Sequence, residues 1–332
     1  MYSKICKLFS ERSIIICAFV MVTATFMGCN PSIELTVKRP AEVNLKDYKK
    51  ISIGDITNAY GKVDQHSKDL VDELTSKLFE SKNFDVLDRQ NLSKILEEQK
   101  LGLSGLVDEE TAAELGKIIG SAVMVFGRIQ TDKYEEKLSK SEPWTTDKGE
   151  KMQTFYREGT YTFVVNLKLI DIVTSKVLAV KTIDGSHKDK KSATNKTAPE
   201  IDKNLLFSLA LKKVSTDFMK MIAPYDVIVR ATFEKDAMLL ELDQCLTLLR
   251  IDEWDAGLKL LEDATKKQLE PKVKAKALYN YGILLMYGGQ PDRAVDILIE
   301  AMKLVPNSRK YQNAILQAKA EKEQADKLKE QL

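Results

Sequence analysis

At 332 residues the chain is long enough for two domains. Its 51 basic and 49 acidic residues leave a formal net charge of +2, which excludes the strongly basic footprint of a nucleic-acid binder.

The chain opens on Lys4, Lys7 and Arg12, followed by an apolar run from Ile14 to Phe26 and then Phe26-Met27-Gly28-Cys29. The run is about two thirds of the roughly 20 residues that a membrane-spanning helix needs, so it reads as the core of a removable signal peptide. A small residue directly before a cysteine marks a lipoprotein signal, with Cys29 as the lipidated first residue of the mature protein. A signal anchor, or an ordinary secretory leader with a chance cysteine, is the alternative, because Phe26 and Met27 are looser than the usual residues before Gly-Cys. Loss of residues 1–28 would leave 48 basic and 48 acidic residues. Cys6 and Cys17 would leave with the signal and lipid would take Cys29, so Cys245 would be the only free thiol. No disulfide scaffold or cysteine-rich zinc site can then form, and Cys245, in the apolar stripe of a predicted helix, reads as a buried inert thiol.

From Lys49 the pattern alternates strand, helix, strand, helix, helix, strand, which argues for an α/β layer. Lys50 to Asp55 is a buried-strand candidate. Leu70, Val71, Leu74 and Leu78 recur at helical spacing and predict an amphipathic helix from about Gln65 to Ser81. A short strand follows at Phe84 to Leu87, and Leu92, Ile95 and Leu96 mark a second helix. In residues 107–127, Asp108 reads as an N-cap, Glu109 and Glu110 sit in the positive first turn, and Ala112, Leu115 and Ile119 share a face. Gly120 then stops the helix before a strand at Ala122 to Ile129. Helix capping accounts for the three acids, and nothing pairs them with a nucleophile. Tyr161 to Ile172 and Lys176 to Ile183 flank Val173-Thr174-Ser175 as a β-hairpin, with Val165, Leu167 and Leu169 on one face.

These residues carry a resemblance. The run Phe84-Asp85-Val86-Leu87-Asp88-Arg89, then Leu92, Ile95 to Gln99, Leu101 to Gly105, Thr111 to Lys117 and Val123 to Gly127, resembles the core of the CsgG family, and the hairpin Leu167 to Val180 resembles a later segment of it. The likeness covers about residues 45–233. It implies a mixed sheet with flanking helices, a lipoprotein at the outer membrane facing the periplasm, and in curli-secreting members a ring of subunits, each giving two hairpins to a membrane barrel. The loop after the first strand, residues 56–64 with Asn58 and Tyr60, corresponds by that resemblance to the family's pore constriction, or to a partner-contact loop.

The two insertion slots depart from the secreting members. A transmembrane strand needs about 9 to 11 residues alternating apolar and polar. Residues 131–158 carry charges on both parities, and residues 184–203 are more polar still. Both slots are therefore expected to be water-exposed loops, open to protease, and the chain a non-pore member. Trp144, Phe155 and Tyr156 read as edge-strand packing rather than as a membrane girdle.

Beyond about residue 235 almost everything is helical, at 237–250, 253–268, 272–287, 291–304 and 308–330. Leu278, Gly282, Leu285, Ala294, Leu298, Ala301 and Pro306 fall at the spacings of a tetratricopeptide repeat, with small residues where two helices cross and a terminating proline. Gly257, Leu261 and Ala264 repeat the second-helix pattern 37 residues earlier, a period of about 34 with a short insertion. Two readings stand for this region: a helical cap without a ligand, and a protein- or peptide-binding domain.

Enzyme signatures are missing: there is no His-Glu-x-x-His, Gly-x-Ser-x-Gly, phosphate loop or dinucleotide fingerprint. His66 and His187 read as solvated surface residues. The sequence thus predicts a signal peptide (1–28), a tether (29–44), a CsgG-like α/β domain (45–235) and a TPR-like all-α domain (236–332). The function expected is a non-catalytic, lipid-anchored scaffold for envelope or secreted protein partners, without cofactor, metal or nucleic acid and with room for homo-oligomerisation. By a similar small α/β domain, that scaffold resembles the lipoprotein activators of peptidoglycan synthases; the competing expectation is an oligomeric curli-type secretion channel.

Overall fold

The computed structural model describes residues 30–88 and 122–332. In chain order the elements are β1 (Ser32–Arg39), β2 (Lys50–Thr57), α1 (Gln65–Ser81), β3 (Asp85–Val86), β4 (Ala122–Lys140), β5 (Trp144–Thr145), β6 (Lys151–Met152), β7 (Thr154–Asp171), β8 (Val177–Asp184), β9 (His187–Thr194), α2 (Lys203–Ile222), β10 (Tyr225–Thr232), α3 (Glu241–Leu249), α4 (Trp254–Lys266), α5 (Pro271–Tyr287), α6 (Pro291–Leu304) and α7 (Arg309–Gln331). Two compact units emerge: Pro40–Tyr225 with Glu330–Leu332, and, among the described residues, 30–39 with Asp226–Lys329.

The first unit is a mixed sheet in the order β3-β2-β4-β7-β8, with β9 also on β7. Strand β2 runs parallel to β3 and β4, while β4, β8 and β9 run antiparallel to β7. Strands β8 and β9 share one edge of β7 end to end: β8 pairs with Val164–Ile170 and β9 with Thr154–Tyr161. Between them Gly185 lies against α2, and a Cβ there would run into the Ala210 carbonyl oxygen and lie 2.7 Å from Val214 Cγ2. One sheet face supplies Ile51, Val123, Val125, Val165, Leu167 and Leu169 to the core, covered by Leu70, Leu74 and Leu78 of α1 and by Leu206, Ala210, Val214 and Phe218 of α2. Burial of this stripe is what α1's period of hydrophobic residues encodes. Asp64 caps α1 through the Ser67 amide, and Asp202 caps α2 through Asn204 and Leu205.

The second unit holds α3 to α6, α7 as far as Lys329 and the two-stranded pair β1-β10. Pro271 and Pro291 stand at the starts of α5 and α6, where the missing N–H has no partner to lose. Leu35 of β1, Ala231 and Phe233 join Cys245, Leu261, Leu285 and Leu298 in its core.

The α/β class, β2, α1 and the 161–183 hairpin appear where the sequence predicts them. Several expectations need correction. The 29–44 tether contains β1, a strand laddered to β10. Compact units divide at 225/226 rather than 235/236. The strand predicted to end at Ile129 continues to Lys140, and the slots 131–158 and 184–203 are not open loops: β4 pairs with β7 as far as Lys140↔Phe155, and β9 with β7 from Tyr161↔His187 to Thr154↔Thr194. Polar side chains do not prevent a ladder whose hydrogen bonds are made by the backbone. Strand β10 and helix α2 have no counterpart in the sequence reading. The signal peptide, Cys29, the helix starting near Leu92 and the 107–120 helix lie outside the described residues.

Candidate functional site

The 58–64 loop is built around one side chain. Asn58 Oδ1 accepts from the Tyr60 and Lys62 amides, both at 3.0 Å, while Asn58 Nδ2 donates to Asp64 Oδ2 at 2.8 Å. The backbone closes the same turn, with the Asn58 amide donating to Lys62 O at 2.8 Å and the Gly61 amide to Asn58 O at 3.0 Å. An asparagine amide mimics a backbone turn in this way, and Gly61 takes φ +76° without a Cβ to oppose it. Asp64 also accepts from Ser67 N and Oγ, both at 2.9 Å. The Asn58 hydrogen bond, and after it the Ser67 amide, hold the Asp64 carboxyl below the ordinary carboxylate range. Arg128 on β4 donates to the Ala59 carbonyl. The result is a braced loop presenting Tyr60, 88% exposed. Asn58 and Tyr60 are thus brought together, as a scaffold residue and the residue it displays.

The small residues predicted in the helical unit also converge. Ala294, Leu298 and Ala301 are fully buried, and a Cβ on Gly282 would lie 2.7 Å from Leu298 Cγ. Pro306 is exposed beyond the end of α6. Cys245 is buried, which pushes its thiol up to about 12.

Both histidines are half-buried and make contacts that the sequence does not predict. His66 Nδ1 contacts Asp132 Oδ2, and its ring stacks on Phe207 at 4.2 Å. Tyr161 Oη donates to the other Asp132 oxygen at 2.7 Å, and burial followed by that carboxylate pushes the Tyr161 phenol upward. His187 opens β9 with its Nδ1 enclosed and unpartnered. Their neighbours in sequence are polar, whereas in space His66 meets Asp132 of β4 and Phe207 of α2, and His187 pairs with Tyr161 of β7. Among the described residues no group of three or more His, Cys, Asp or Glu is placed to hold a metal.

A second site, not anticipated, lies on the α5 and α7 face of the helical unit. Lys276, Tyr279, Asn280, Ile283 and Tyr287 recur along one side of α5 at helical spacing. The segment after β10, Phe233-Glu234-Lys235-Asp236, is held there. Asn280, 1% exposed, grips the backbone of Glu234 from both sides: Glu234 N donates to Asn280 Oδ1 at 2.7 Å, and Asn280 Nδ2 donates to Glu234 O at 2.8 Å. The Glu234 carboxylate accepts from Tyr311 Oη at 2.6 Å and Lys310 Nζ at 3.0 Å. Lys276 Nζ meets Asp236 Oδ2 at 2.9 Å, and that bond, with the Met238 amide, lowers the Asp236 carboxyl. Phe233 is fully buried. Tyr279 stacks on Tyr311 at 5.2 Å, with Lys310 Nζ 4.5 Å above the Tyr279 ring. Burial and Glu234 together push both phenols upward. A cavity of about 230 Å³, lined by Thr232, Ile283, Tyr287, Asn313 and Gln317 among others, continues the groove. The signal available in the sequence is an asparagine within the apolar stretch 275–287 of α5, which must have a partner if buried.

A family model described as "Curli production assembly/transport component CsgG" matches residues 33–199. Among solved structures the chain is similar to the PelC dodecamer from Paraburkholderia phytofirmans (12% identity, 57% of this chain and 99% of that one, TM-score 0.28). It is also similar to lipoprotein GNA1162 from Neisseria meningitidis (11% identity, 51% and 96%, TM-score 0.28). A third likeness is to the LpoB C-terminal domain from Salmonella enterica (10% identity, 50% and 90%, TM-score 0.25). At these scores the likenesses say nothing of function. No curated protein matches the chain.

Proposed function

The chain belongs to the CsgG family, whose model spans half of its length, and we propose that it is a lipid-anchored component of the bacterial envelope that works as a non-catalytic scaffold rather than as a pore. Cys29 carries the lipid, at the outer membrane and facing the periplasm. The TPR-like helical hairpins and the braced Tyr60 loop are the surfaces that meet envelope or secreted protein partners.

The observation that carries the non-pore reading is the register of the outer β4-β7-β9 ladder. Pairing of Tyr134 with Tyr161 and of Tyr161 with His187 puts Glu136, Lys140, Arg157, Asp189 and Lys191 on one face. The other face then carries Lys133, Glu135, Lys137, Glu158, Lys188 and Lys190. Neither face offers an apolar band, and a lysine or arginine at the bilayer midplane costs about 2 to 4 kcal/mol. Ion pairs instead link the strands, Arg157 with Glu136 and Lys190 with Glu158, and Lys190 lies 4.6 Å over the Tyr156 ring. Trp144, 49% exposed, pairs with Met152 in the small β5-β6 turn region beyond.

Two measurements test this. Cys29→Ala is expected to move the folded protein from the membrane to the soluble periplasmic fraction, and retention would count against the lipid anchor. In liposomes, protease should cut after Lys148, in the exposed turn closed by the Gly149 amide on Thr146 O, as readily as in solution. Protection of Lys148 that only detergent relieves would make the pore the better reading. That second reading, a ring-forming secretion channel, draws on the braced display of Tyr60. Electron microscopy of the detergent-extracted protein would favour it by showing a ring with a membrane band.

A further inference from the structure

Resting on the reading of the helical hairpins as a protein-binding domain, we infer that the α5–α7 groove is an acceptor for an extended acidic segment of a partner protein, and that the chain's own residues 233–236 occupy it as a built-in ligand.

Joining a strand to a helix requires only length. Residues 233–236 have more than that: a bidentate amide grip on the N–H and C=O of one residue, a cation for each of two carboxylates two residues apart, a tyrosine hydroxyl on the first carboxylate and a buried aromatic anchor before it. This is how a groove recognises an extended peptide, with backbone contacts holding any sequence and side-chain contacts selecting acidic residues. Recognition of Glu234 by both Lys310 and Tyr311 selects a carboxylate over an amide, because a neutral side chain would leave the ammonium group unpaired. The groove also continues past the segment into the cavity bordered by Asn313 and Gln317, which leaves room for a longer ligand.

Burial of Asn280 decides how such a site can open. With the segment withdrawn, its amide would lose both of its backbone partners, which is costly unless another chain replaces them. The groove therefore favours exchange of one extended chain for another over standing empty. Because the internal segment is tethered, its effective concentration is high, and a partner binds only as far as the segment is displaced. The apparent affinity is reduced by the fraction of molecules in which the groove is vacant.

The test uses the full chain and a fluorescein-labelled peptide copying residues 231–236. Wild type is expected to bind it weakly, and the double variant Glu234→Gln/Asp236→Asn, which keeps the backbone but removes both carboxylates, at least about tenfold more tightly. Adding Lys310→Met or Asn280→Ala to the double variant should abolish the gain. Equal binding by wild type and double variant would leave the groove an acceptor but overturn the built-in ligand. No binding to a folded double variant would overturn the acceptor itself, leaving the scaffold proposal to other surfaces. If the variants do not fold, hydrogen exchange on wild type decides. The Glu234 amide should exchange through a local opening, well before the interior amides of α5, and exchange only on global unfolding would sink the inference.

Discussion

Strands β4 and β7 stay laddered from Val123↔Asp171 to Lys140↔Phe155, yet the two ends of this hairpin are held by different forces. At its root Val123, Val125, Val165, Leu167 and Leu169 are fully buried beneath α1 and α2. Towards its tip Glu135, Glu136, Lys137, Leu138, Ser139 and Lys140 are exposed, and the opposing strand meets them with the Arg157–Glu136 ion pair. Hydrophobic burial supplies the root with kcal/mol-scale terms for each side chain. Cross-strand polar pairs supply the tip with about 0.2 to 1 kcal/mol each. One ladder, with a register shift between Ile129 and Thr131, therefore joins a part that determines stability to a part free to vary its surface.

The sharpest way to break that comparison is to make one substitution at both ends. Leu167→Ala should cost about 2 to 5 kcal/mol in denaturant unfolding, through lost burial and a cavity. Leu138→Ala, at a side chain 61% exposed, should stay within about 0.5 kcal/mol. Similar losses at both positions would mean that the tip packs on something. Next in size is Gly185→Ala, where β8 passes into β9 against α2. The Cβ meets Ala210 O and Val214, and overpacking of this kind costs about 1 to 3 kcal/mol. A neutral result would show that the edge strand can yield.

A smaller effect should appear in alkali. Tyr48 donates to Asp171 Oδ2 at 2.9 Å, at the end of β7, and burial followed by Asp171 pushes its phenol from 10.0 up to about 12. The folded state holds this proton more tightly than the unfolded chain does. Its contribution is thus fully present below pH 10.0 and lost as pH rises through about 12. Thermal unfolding of Tyr48→Phe should lack that part of the alkaline decline, and an unchanged profile would dismiss the bond. The smallest effect belongs to the tip: a double-mutant cycle on Glu136 and Arg157 should give a coupling of about 0.2 to 1 kcal/mol, shrinking with salt. A coupling well above that would make the tip a second centre of stability.

The root was legible in the sequence because a strand buried on one face prints its alternation in Val165, Leu167 and Leu169. The tip was not, since TDKYEEKLSK has no apolar period and reads as loop unless its partner strand is known. The same limit hid β1 in what read as a tether. At the candidate sites, Asn58 and Tyr60 could be named from the loop's place after β2, but the Asn58 hydrogen bonds that brace it depend on turn geometry. The groove around Asn280 was missed because its ligand comes from residues 46 positions away in the chain.

The positions of α1 and of α3 to α7, unlike that of α2, follow largely from local sequence. The α1 boundaries, the prolines opening α5 and α6, and the spacing of Gly282, Ala294 and Ala301 are all written within single segments, because a helix closes its hydrogen bonds four residues away and buries one periodic stripe. Tertiary structure alone decided which strand lies beside which: β1 on β10, β9 on the outer half of β7, and Glu234 in the grip of Asn280. Strand pairing and peptide-like docking use backbone groups that every residue carries, so nothing in the side-chain pattern of either partner names the other.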